Sequence, residues 1–597
     1  MPFNLPRPSS ISHHTLVGIA SFFTALLCTN AAHAAPVPAA QADAFVDQIG
    51  VNIHVKENGP YNAGTNNSVL TAALSNLGVR HVRDGLDIYN WPISVYQNLA
   101  QNFGIHCNLI LGYNGVTDKT NSSPLLDIIK TLGTGVVDSI EPTNEPNIQN
   151  NSTWLNDSIV WQKDLWNKLK TNPTYSSISS ITLMGPSLAG NNAQTDATNL
   201  KTSFSDSQNY MQAGNIHPYP GGWQPENTAT FMHADLPSGI TLGQTLCSTS
   251  KPVFATETGY TNASGQTGAV WVSENASGIY LPRLFLNNAQ HGIVRTFWYD
   301  LFNDSNDPNK TNPEANFGLY NNDGVTIKPT GNAMKNLIGC LSDPGPSFTP
   351  ASFDYTLSSN AVSSMLFQKR NGEFWLAIWQ PASLWDNSRP YGQKQEITPP
   401  PVACTVTFNQ TVNRATTYDN LDAASPTTAI FPLPASLPLS ITARVTLIRI
   451  EPATMTAEAE AQVLQASSGD TYRVSVESGA SGGANIVYES NAIGDSYTCQ
   501  VQIPQARTYN VTVGVKKWNN RGMFGLSVAP SLNGVYNTHG PQNIDLYSVN
   551  PTFTTVNIGL VGFGSAGQKS FKFTVTGKNV SSAGDWLAID SIILQPQ

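Results

Sequence analysis

The sequence predicts an α/β protein in which a (β/α)8 TIM barrel is followed by two all-β sandwich domains. The chain has 597 residues, which exceeds the roughly 100 to 250 residues of one domain. Residues 50–340 alternate short β-rich runs with helical patterns, and the remainder shows strand patterns alone. The predicted boundaries are 1–34 for a signal peptide, 35–345 for the barrel, 346–453 for one sandwich and 454–597 for the other.

The N-terminus has the pattern of a secretory signal peptide. Arg7 precedes an apolar stretch from Leu16 to Leu27, and Ala32-His33-Ala34 supplies a small-x-small cleavage site. The mature chain is therefore predicted to start near Ala35 and to be secreted or periplasmic. Beyond this segment no apolar run reaches the ~18 residues of a membrane helix, so no membrane span is predicted.

The composition indicates a weakly charged, polar surface. Charged residues make up 12 % of the chain, and its formal net charge is −9. Because phosphate binding depends on clustered cations, and the sequence has no Lys/Arg run, a nucleic-acid partner is disfavoured. A neutral sugar polymer fits this surface better.

The cysteines that follow the signal peptide are odd in number and widely scattered. Their spacing matches no zinc-ligand pattern, so we expect most of them to be small buried residues. Pairing of two of them in an exported protein stays open. They are Cys107, Cys247, Cys340, Cys404 and Cys499.

Eight short β-rich runs predict the strands of the barrel. They are Gly50–Val55, Val79–Arg83, Cys107–Gly112, Val136–Glu141, Ile181–Pro186, Gly214–His217, Pro252–Glu257 and Ile293–Trp298. Apolar residues that return every three or four positions predict helices between them, such as Ser68–Leu77, Ile93–Phe103, Ile159–Leu169 and Gly278–Ala289. Eight such units in about 290 residues match a (β/α)8 barrel.

Two glutamates stand at the ends of predicted strands. Glu145 follows the fourth strand in Glu141-Pro-Thr-Asn-Glu-Pro-Asn147, and Glu257 ends the seventh. Because barrel chemistry lies on the loops after the carboxyl ends of the strands, both carboxylates are expected at one mouth. Cleavage of a glycosidic bond needs such a pair: one group protonates the leaving oxygen, and the other attacks the anomeric carbon or activates water.

These two motifs resemble the catalytic sites of clan A glycoside hydrolases, which retain anomeric configuration. They are Asn144-Glu145-Pro146 and Thr256-Glu257-Thr258-Gly259. The stretch from Val51 to Asp343 is similar, more narrowly, to family 39-like members of the clan. The resemblance implies that Glu145 is the acid/base and Glu257 the nucleophile. It also implies a cation beside the nucleophile, for which Arg83 is the candidate.

Other residues at strand ends are candidates for substrate binding. His54 belongs to this group, and Asn144 is a candidate partner of the sugar 2-hydroxyl. His217 and Tyr219 are expected to orient Glu257. Trp298 is expected to form the floor under the sugar whose bond breaks, with core packing as the alternative. Rival carboxylates, of which the first is the strongest, are Asp84, Glu141, Asp300 and Asp304.

The last predicted domain resembles carbohydrate-binding modules of families 6 and 35. The likeness rests on Ala457-Glu-Ala-Glu460 and on the closing run Ala588-Ile-Asp-Ser-Ile-Ile-Leu594. It implies a structural calcium bound by Glu458, Glu460 and Asp590, and oxygen ligands suit that ion. Aromatic residues that are candidates for sugar stacking, with sandwich-core packing favoured for each, are Trp518, Tyr547 and Trp586.

The sequence therefore predicts a retaining glycosidase that acts within a polysaccharide and needs no cofactor for catalysis. An appended module favours endo action, because anchoring to a polymer raises the effective substrate concentration. Two alternatives stay open. One is an exo-acting enzyme that resembles a β-xylosidase or arabinofuranosidase, and the other is a non-catalytic glycan-binding protein.

Overall fold

Eight parallel strands form one curled sheet in the computed structural model, and a helix follows each strand. In chain order the strands are Ile49–Asn52, His81–Leu86, His106–Leu111, Val137–Glu141, Thr182–Leu183, Gly214–Ile216, Val253–Thr258 and Ile293–Trp298. Each pairs in parallel with its chain neighbours, and the last pairs with the first. A parallel bridge between Met184 and Ala213 joins the fifth and sixth strands. The predicted alternation of strands and helices is confirmed.

The structure describes residues 35–56, 59–61, 67–86, 92–113, 116–227, 235–266, 271–386 and 395–596. The predicted signal peptide, 1–34, lies outside these ranges. Among the described residues, none of the helices has both the length and the hydropathy that a membrane crossing needs.

The helices that follow the strands turn an apolar side toward the sheet. They are Ser68–Leu77, Ile93–Phe103, Ser123–Leu132, Trp154–Trp166, Ala193–Ser203, Leu236–Cys247, Glu274–Gln290 and Pro329–Leu341. Their ends follow local chemistry: Asp235 and Ser273 cap the N-termini of two helices with side-chain oxygens. Gly78 and Gly104 end two others at φ of 76° and 65°, a left-handed conformation that glycine adopts without a Cβ clash.

The middle sandwich begins with strands from both ends of the barrel segment. Val37–Pro38 pairs with Ser352–Phe353, and Ala40–Gln41 pairs with Ser363–Gln368. The remaining strands are Tyr355–Leu357, Phe374–Trp379, Val402–Phe408, Val412–Asp419, Thr427–Pro432, Ser436–Ile441 and Thr446–Pro452. The last two of these strands, Ser436–Ile441 and Thr446–Pro452, are separated by a break at 442–445.

The C-terminal region folds as two antiparallel sheets around its own apolar core. Its strands are Met455–Glu458, Val463–Ala466, Thr471–Val476, Ala484–Glu489, Ser496–Ile503, Thr508–Lys517, Gly522–Ala529, Asn537–Asp545, Thr552–Gly562, Gly567–Lys578 and Leu587–Pro596. All five cysteines of the described residues are unpaired, and all but Cys340 are buried.

Candidate active site

A large cavity lies at the carboxyl ends of the parallel strands. Its volume is about 750 Å³, and both glutamates singled out by the sequence line it. The other lining residues come from the carboxyl ends of all eight strands or from the loops that follow them. The curled sheet therefore brings remote segments of the chain to one open pocket, large enough for sugar units.

Glu145 reaches the pocket from the loop that follows Val137–Glu141. Its backbone has a φ of 44°, in the left-handed region that residues other than glycine rarely adopt. The side chain is one-fifth exposed, and its Oε1 lies 2.6 Å from Nδ1 of His217. The turn thus holds a carboxyl group at the pocket wall against a histidine.

Glu257 is the penultimate residue of the seventh strand and is buried. Its Oε1 accepts a hydrogen bond from Arg83 Nη1 at 2.6 Å, and its Oε2 accepts one from the Tyr219 hydroxyl at 2.8 Å. Burial alone would raise the pKa of Glu257, but the charges of His217 and Arg83 lower it to about 2. Glu257 is therefore ionised at neutral pH.

The two carboxyl groups face each other across a short gap. One carboxylate oxygen of Glu145, one of Glu257 and a ring nitrogen of His217 all lie within 4.8 Å of one another. Nδ1 of His217 is 3.6 Å from Glu257 Oε2, so the histidine stands between both acids.

Arg83 is held in place by a second carboxylate behind the pocket. Glu141 is 1 % exposed, and its Oε1 accepts from Arg83 Nε at 2.5 Å. Nδ2 of Asn108 donates to the same oxygen, and Nδ2 of Asn215 donates to Oε2 at 2.6 Å. Because Glu141 is saturated with donors and shielded from the pocket, it fixes the guanidinium rather than meeting a substrate.

The hydrogen bonds of His217 place a proton on each ring nitrogen. The Thr256 hydroxyl donates to Asn215 Oδ1 at 2.6 Å, so it accepts from His217 Nε2 at 3.1 Å. Nδ1 faces the carboxylates of Glu145 and Glu257 and donates there. Burial disfavours the imidazolium, but the Glu257 charge and the Glu145 hydrogen bond raise the pKa of His217.

Two other predicted residues also line the pocket. Asn144 Oδ1 accepts from Arg83 Nη2 at 2.8 Å, which fixes the orientation of the amide beside Glu145. The ring of His54 packs edge-on against Tyr299, with the centroids 5.5 Å apart. The structure thus brings seven predicted residues together around one cavity: His54, Arg83, Asn144, Glu145, His217, Tyr219 and Glu257.

The structure differs from the prediction at Trp298, and it gives the rival carboxylate Asp84 partners within the protein. Trp298 is fully buried and does not line the pocket, because its ring packs against Tyr260 with centroids 6.2 Å apart. It supports the pocket from below and offers no face to a sugar. Asp84 is held by the Tyr96 hydroxyl and by the backbone N–H groups of Val55 and Gly85.

Glu314 and Phe317 also line the pocket, although the sequence did not point to them. Tyr299, Glu314 and Phe317 come from the long segment after the eighth strand. The Tyr299 hydroxyl donates to Glu314 Oε2 at 3.1 Å, and the Phe317 ring lies 5.8 Å from that of Tyr219. Because this segment has no strand or helix periodicity, the only available signal was its aromatic content close to a strand end.

The C-terminal region brings its three predicted carboxylates together. The Ser481 side chain donates to Glu458 Oε1 at 2.8 Å, and the Ser481 backbone N–H donates to Asp590 Oδ1 at 3.0 Å. Burial, followed by mutual repulsion, raises the pKa of Glu460 to about 8. Burial also raises the pKa of Glu458 to about 7 and that of Asp590 to about 6. Oε2 of each glutamate is buried without a hydrogen-bond partner among the described residues.

The three aromatic residues of this region correct one expectation. Trp518, Tyr547 and Trp586 are all partly exposed and lie outside the apolar core, so the prediction of core packing is wrong for them. Backbone bridges join Trp518 to Tyr547 and Arg521 to Trp586. These bridges keep the aromatic residues at the edge of the sheets.

Comparisons with known proteins give no family match and no matching curated sequence. Among solved structures, the chain is similar to a Paenibacillus xanthan lyase, with 18 % identity, TM-score 0.23 and coverage of 41 % of this chain and 24 % of that one. It is similar to a Rhizomucor miehei β-1,3-glucanosyltransferase, with 16 % identity, TM-score 0.34 and coverage of 47 % and 96 %. An Arthrobacter globiformis isomalto-dextranase has 10 % identity, TM-score 0.32 and coverage of 94 % and 99 %. The chain thus spans about a quarter of the lyase, and likenesses at these scores carry no argument about activity.

Proposed function

We propose that the chain is an exported retaining glycoside hydrolase, built on a (β/α)8 barrel, that cleaves O-glycosidic bonds within a polysaccharide. Glu145 is the acid/base and Glu257 the nucleophile. The observation that carries this proposal is the gap of at most 4.8 Å between their nearest carboxylate oxygens. Retaining pairs are ~5 to 5.5 Å apart, whereas inverting pairs leave ~6.5 to 9.5 Å for a water molecule.

In the first step, Glu257 attacks the anomeric carbon while the bond from that carbon to the leaving oxygen breaks. The attack forms an ester between Glu257 and the sugar. Glu145 passes a proton to the leaving oxygen, and that proton comes from the hydrogen bond it shares with His217 Nδ1. The low pKa of Glu257 supports this division of roles, because the nucleophile must be ionised while the other acid delivers a proton.

In the second step, water enters beside Glu145 and attacks the same carbon. Glu145 accepts a proton from the water, the ester bond breaks, and Glu257 leaves as a carboxylate. Arg83 and Tyr219 then hold it in its starting position. The configuration of the anomeric carbon is inverted in each of the two steps, so the product keeps the anomeric configuration of the substrate.

The reaction class is tested by product analysis against a panel of plant and bacterial polysaccharides. Mass spectrometry compares the oligosaccharides released by the wild type with those released by Glu145→Gln. Internal fragments of several lengths support endo action, and single sugars from the chain end support the exo-acting alternative. If the correctly folded wild type creates no new reducing end on any polymer, the chain is a glycan-binding protein and not a hydrolase.

Replacing His217 by glutamine is expected to shift the basic limb of the pH profile of kcat/KM to lower pH. The raised pKa of His217 keeps the shared proton available above the ordinary histidine range. Without the imidazole that proton depends on a carboxyl group alone, and kcat should also fall on the order of 10²-fold. His291→Gln, an exposed histidine on a distant helix end, is the control. If the basic limb of the profile does not shift in His217→Gln, His217 takes no part in the proton transfer.

A structural calcium ion in the C-terminal region is the second part of the proposal. Three carboxylates that share a partly buried cluster, with two orphaned oxygens, suit this ion. Glu458, Glu460 and Asp590 would hold it, and its charge would offset their mutual repulsion.

Calcium is expected to stabilise the full chain by about 2.7 kcal/mol at a free concentration a hundredfold above Kd. Because the pKa values of the cluster are about 6 to 8 without the ion, protons compete, and affinity should weaken as pH falls from 8 to 6. Calorimetric titration and thermal unfolding measure both effects. Glu460→Gln should abolish them, whereas Glu489→Gln, on the surface of the same region, should not. Equal binding by both variants would place calcium elsewhere.

A further inference from the structure

A second group of side chains that could ligate a metal lies beside the pocket, where the first and last strands of the parallel sheet meet. His54 follows Ile49–Asn52, and Asp300 and Asp304 follow Ile293–Trp298. One ligand atom from each residue lies within 4.8 Å of the other two, and His54 Nε2 is 3.8 Å from Asp300 Oδ2. These separations suit three donors around one ion.

Asp300 is the unusual member of this group. Its side chain is 0 % exposed, and neither carboxylate oxygen has a hydrogen-bond partner among the described residues. The buried ammonium of Lys328, whose charge acts on Asp300, donates instead to Asn303 Oδ1 and to the Asn316 carbonyl. A buried carboxylate with no donor is strongly disfavoured unless a cation or a proton offsets its charge.

The catalytic group has a similar spacing but a different character. Glu257 accepts hydrogen bonds from Arg83 and Tyr219, and Glu145 is paired with His217. Its carboxylates are therefore satisfied by protein donors. Asp300 has no such donor, and Oδ1 of Asp304 is also buried without a partner among the described residues. Of these two groups, only the second contains buried carboxylate oxygens that lack a hydrogen-bond donor among the described residues.

We propose that His54, Asp300 and Asp304 bind a divalent transition-metal ion, Zn²⁺ or Mn²⁺. One imidazole and two carboxylates form a donor set that favours these ions over Ca²⁺, which takes oxygen ligands. The ion would join the segments that follow the first and last strands of the sheet. It would also fix the ring of His54, which packs edge-on against Tyr299 at the pocket wall.

Metal content of the full chain tests the site. The chain is prepared with Glu460→Gln, so that the C-terminal carboxylates do not contribute, then stripped with chelator, incubated with Zn²⁺ or Mn²⁺ and desalted. Mass spectrometry of the elements should find about one ion per chain. Adding Asp300→Asn or Asp304→Asn should reduce the number of bound ions per chain at least tenfold. Asp118→Asn, at an exposed turn, should leave that number unchanged.

Two further measurements distinguish a bound metal ion from a proton that Asp300 and Asp304 share. The metal should raise the Tm of the Glu460→Gln chain and leave the Tm of its Asp300→Asn derivative unchanged. In electron paramagnetic resonance, bound Mn²⁺ should lose the six-line spectrum of the free ion. A stripped and reloaded chain with less than about a tenth of an ion overturns the proposal, whether or not the variants fold. In that case Asp300 is a protonated acid. Binding that persists in both aspartate variants overturns it equally.

Discussion

Replacing Glu257 by alanine is expected to lower kcat/KM on the order of 10⁵-fold, because removal of a nucleophile eliminates the covalent route. The loss should appear in kcat on whichever polymer the wild type cleaves. Tm and circular dichroism check that the variant is folded. Glu489→Ala, at an exposed pair with Arg473 in the C-terminal region, is the control and should keep full activity.

Azide distinguishes the roles of the two glutamates. In Glu257→Ala, azide fills the space of the carboxylate and should restore turnover, giving a glycosyl azide of opposite configuration to the substrate. In Glu145→Ala, azide should intercept the glycosyl-enzyme and give a glycosyl azide of the same configuration. An exchange of these two outcomes would reverse the assignment, and no rescue of either variant would count against a retaining pair.

Replacing Arg83 by methionine is expected to lower the free energy of unfolding by about 3 to 5 kcal/mol, because two buried carboxylates lose their cation. Arg83 is 2 % exposed and bonds to both Glu141 and Glu257. Chemical denaturation at neutral pH measures this loss. Activity should change in a defined way as well: the pKa of Glu257 rises from about 2, so the acid limb of kcat/KM moves to higher pH.

The sign of the pH effect on stability follows from the same interaction. A carboxyl whose pKa is lowered on folding stabilises the protein above its unfolded pKa, and this contribution disappears as pH falls through the folded value. For Glu257 the window runs from about 4.5 down to about 2. Arg83→Met should therefore flatten the stability profile of the protein in this range.

A double variant separates the buried pair from general damage to the core. Adding Glu141→Gln to Arg83→Met removes one of the two unpaired charges and should recover part of the lost stability. Arg473→Met, which breaks an exposed pair with Glu489, should cost at most about 1 kcal/mol. If the double variant is no more stable than Arg83→Met, the destabilisation does not come from uncompensated charge.

The sequence located the strands of the parallel sheet because burial on both faces leaves short, continuous β-rich runs between helical patterns. Helices Ser68–Leu77 and Ile93–Phe103 begin and end as predicted. The middle sandwich was harder to predict. The strands Val412–Asp419 and Thr427–Pro432 were missed because the first is largely polar and the second largely exposed, so neither shows a clear alternation.

The motifs of Glu145 and Glu257 were recognisable because each glutamate lies at or just after the end of a strand, and the topology brings strand ends together. The sequence pattern does not show how far apart two side chains lie or how deeply each is buried. Glu141 looked like a rival acid, but burial beneath Arg83 makes it an anchor. Trp298 looked like a sugar platform, but its ring lies under Tyr260. Both differences depend on the direction and depth of a side chain, which a linear pattern does not encode.

The anomeric configuration of the first product tests the central claim most directly. Proton NMR follows the wild type on the polymer that it cleaves, during the first minutes and before mutarotation. With Glu145 and Glu257 separated by so short a gap, the first-formed reducing end should have the configuration of the bond that was cut. A product that forms first with the opposite configuration would contradict the double displacement and the assignment of Glu257 as nucleophile.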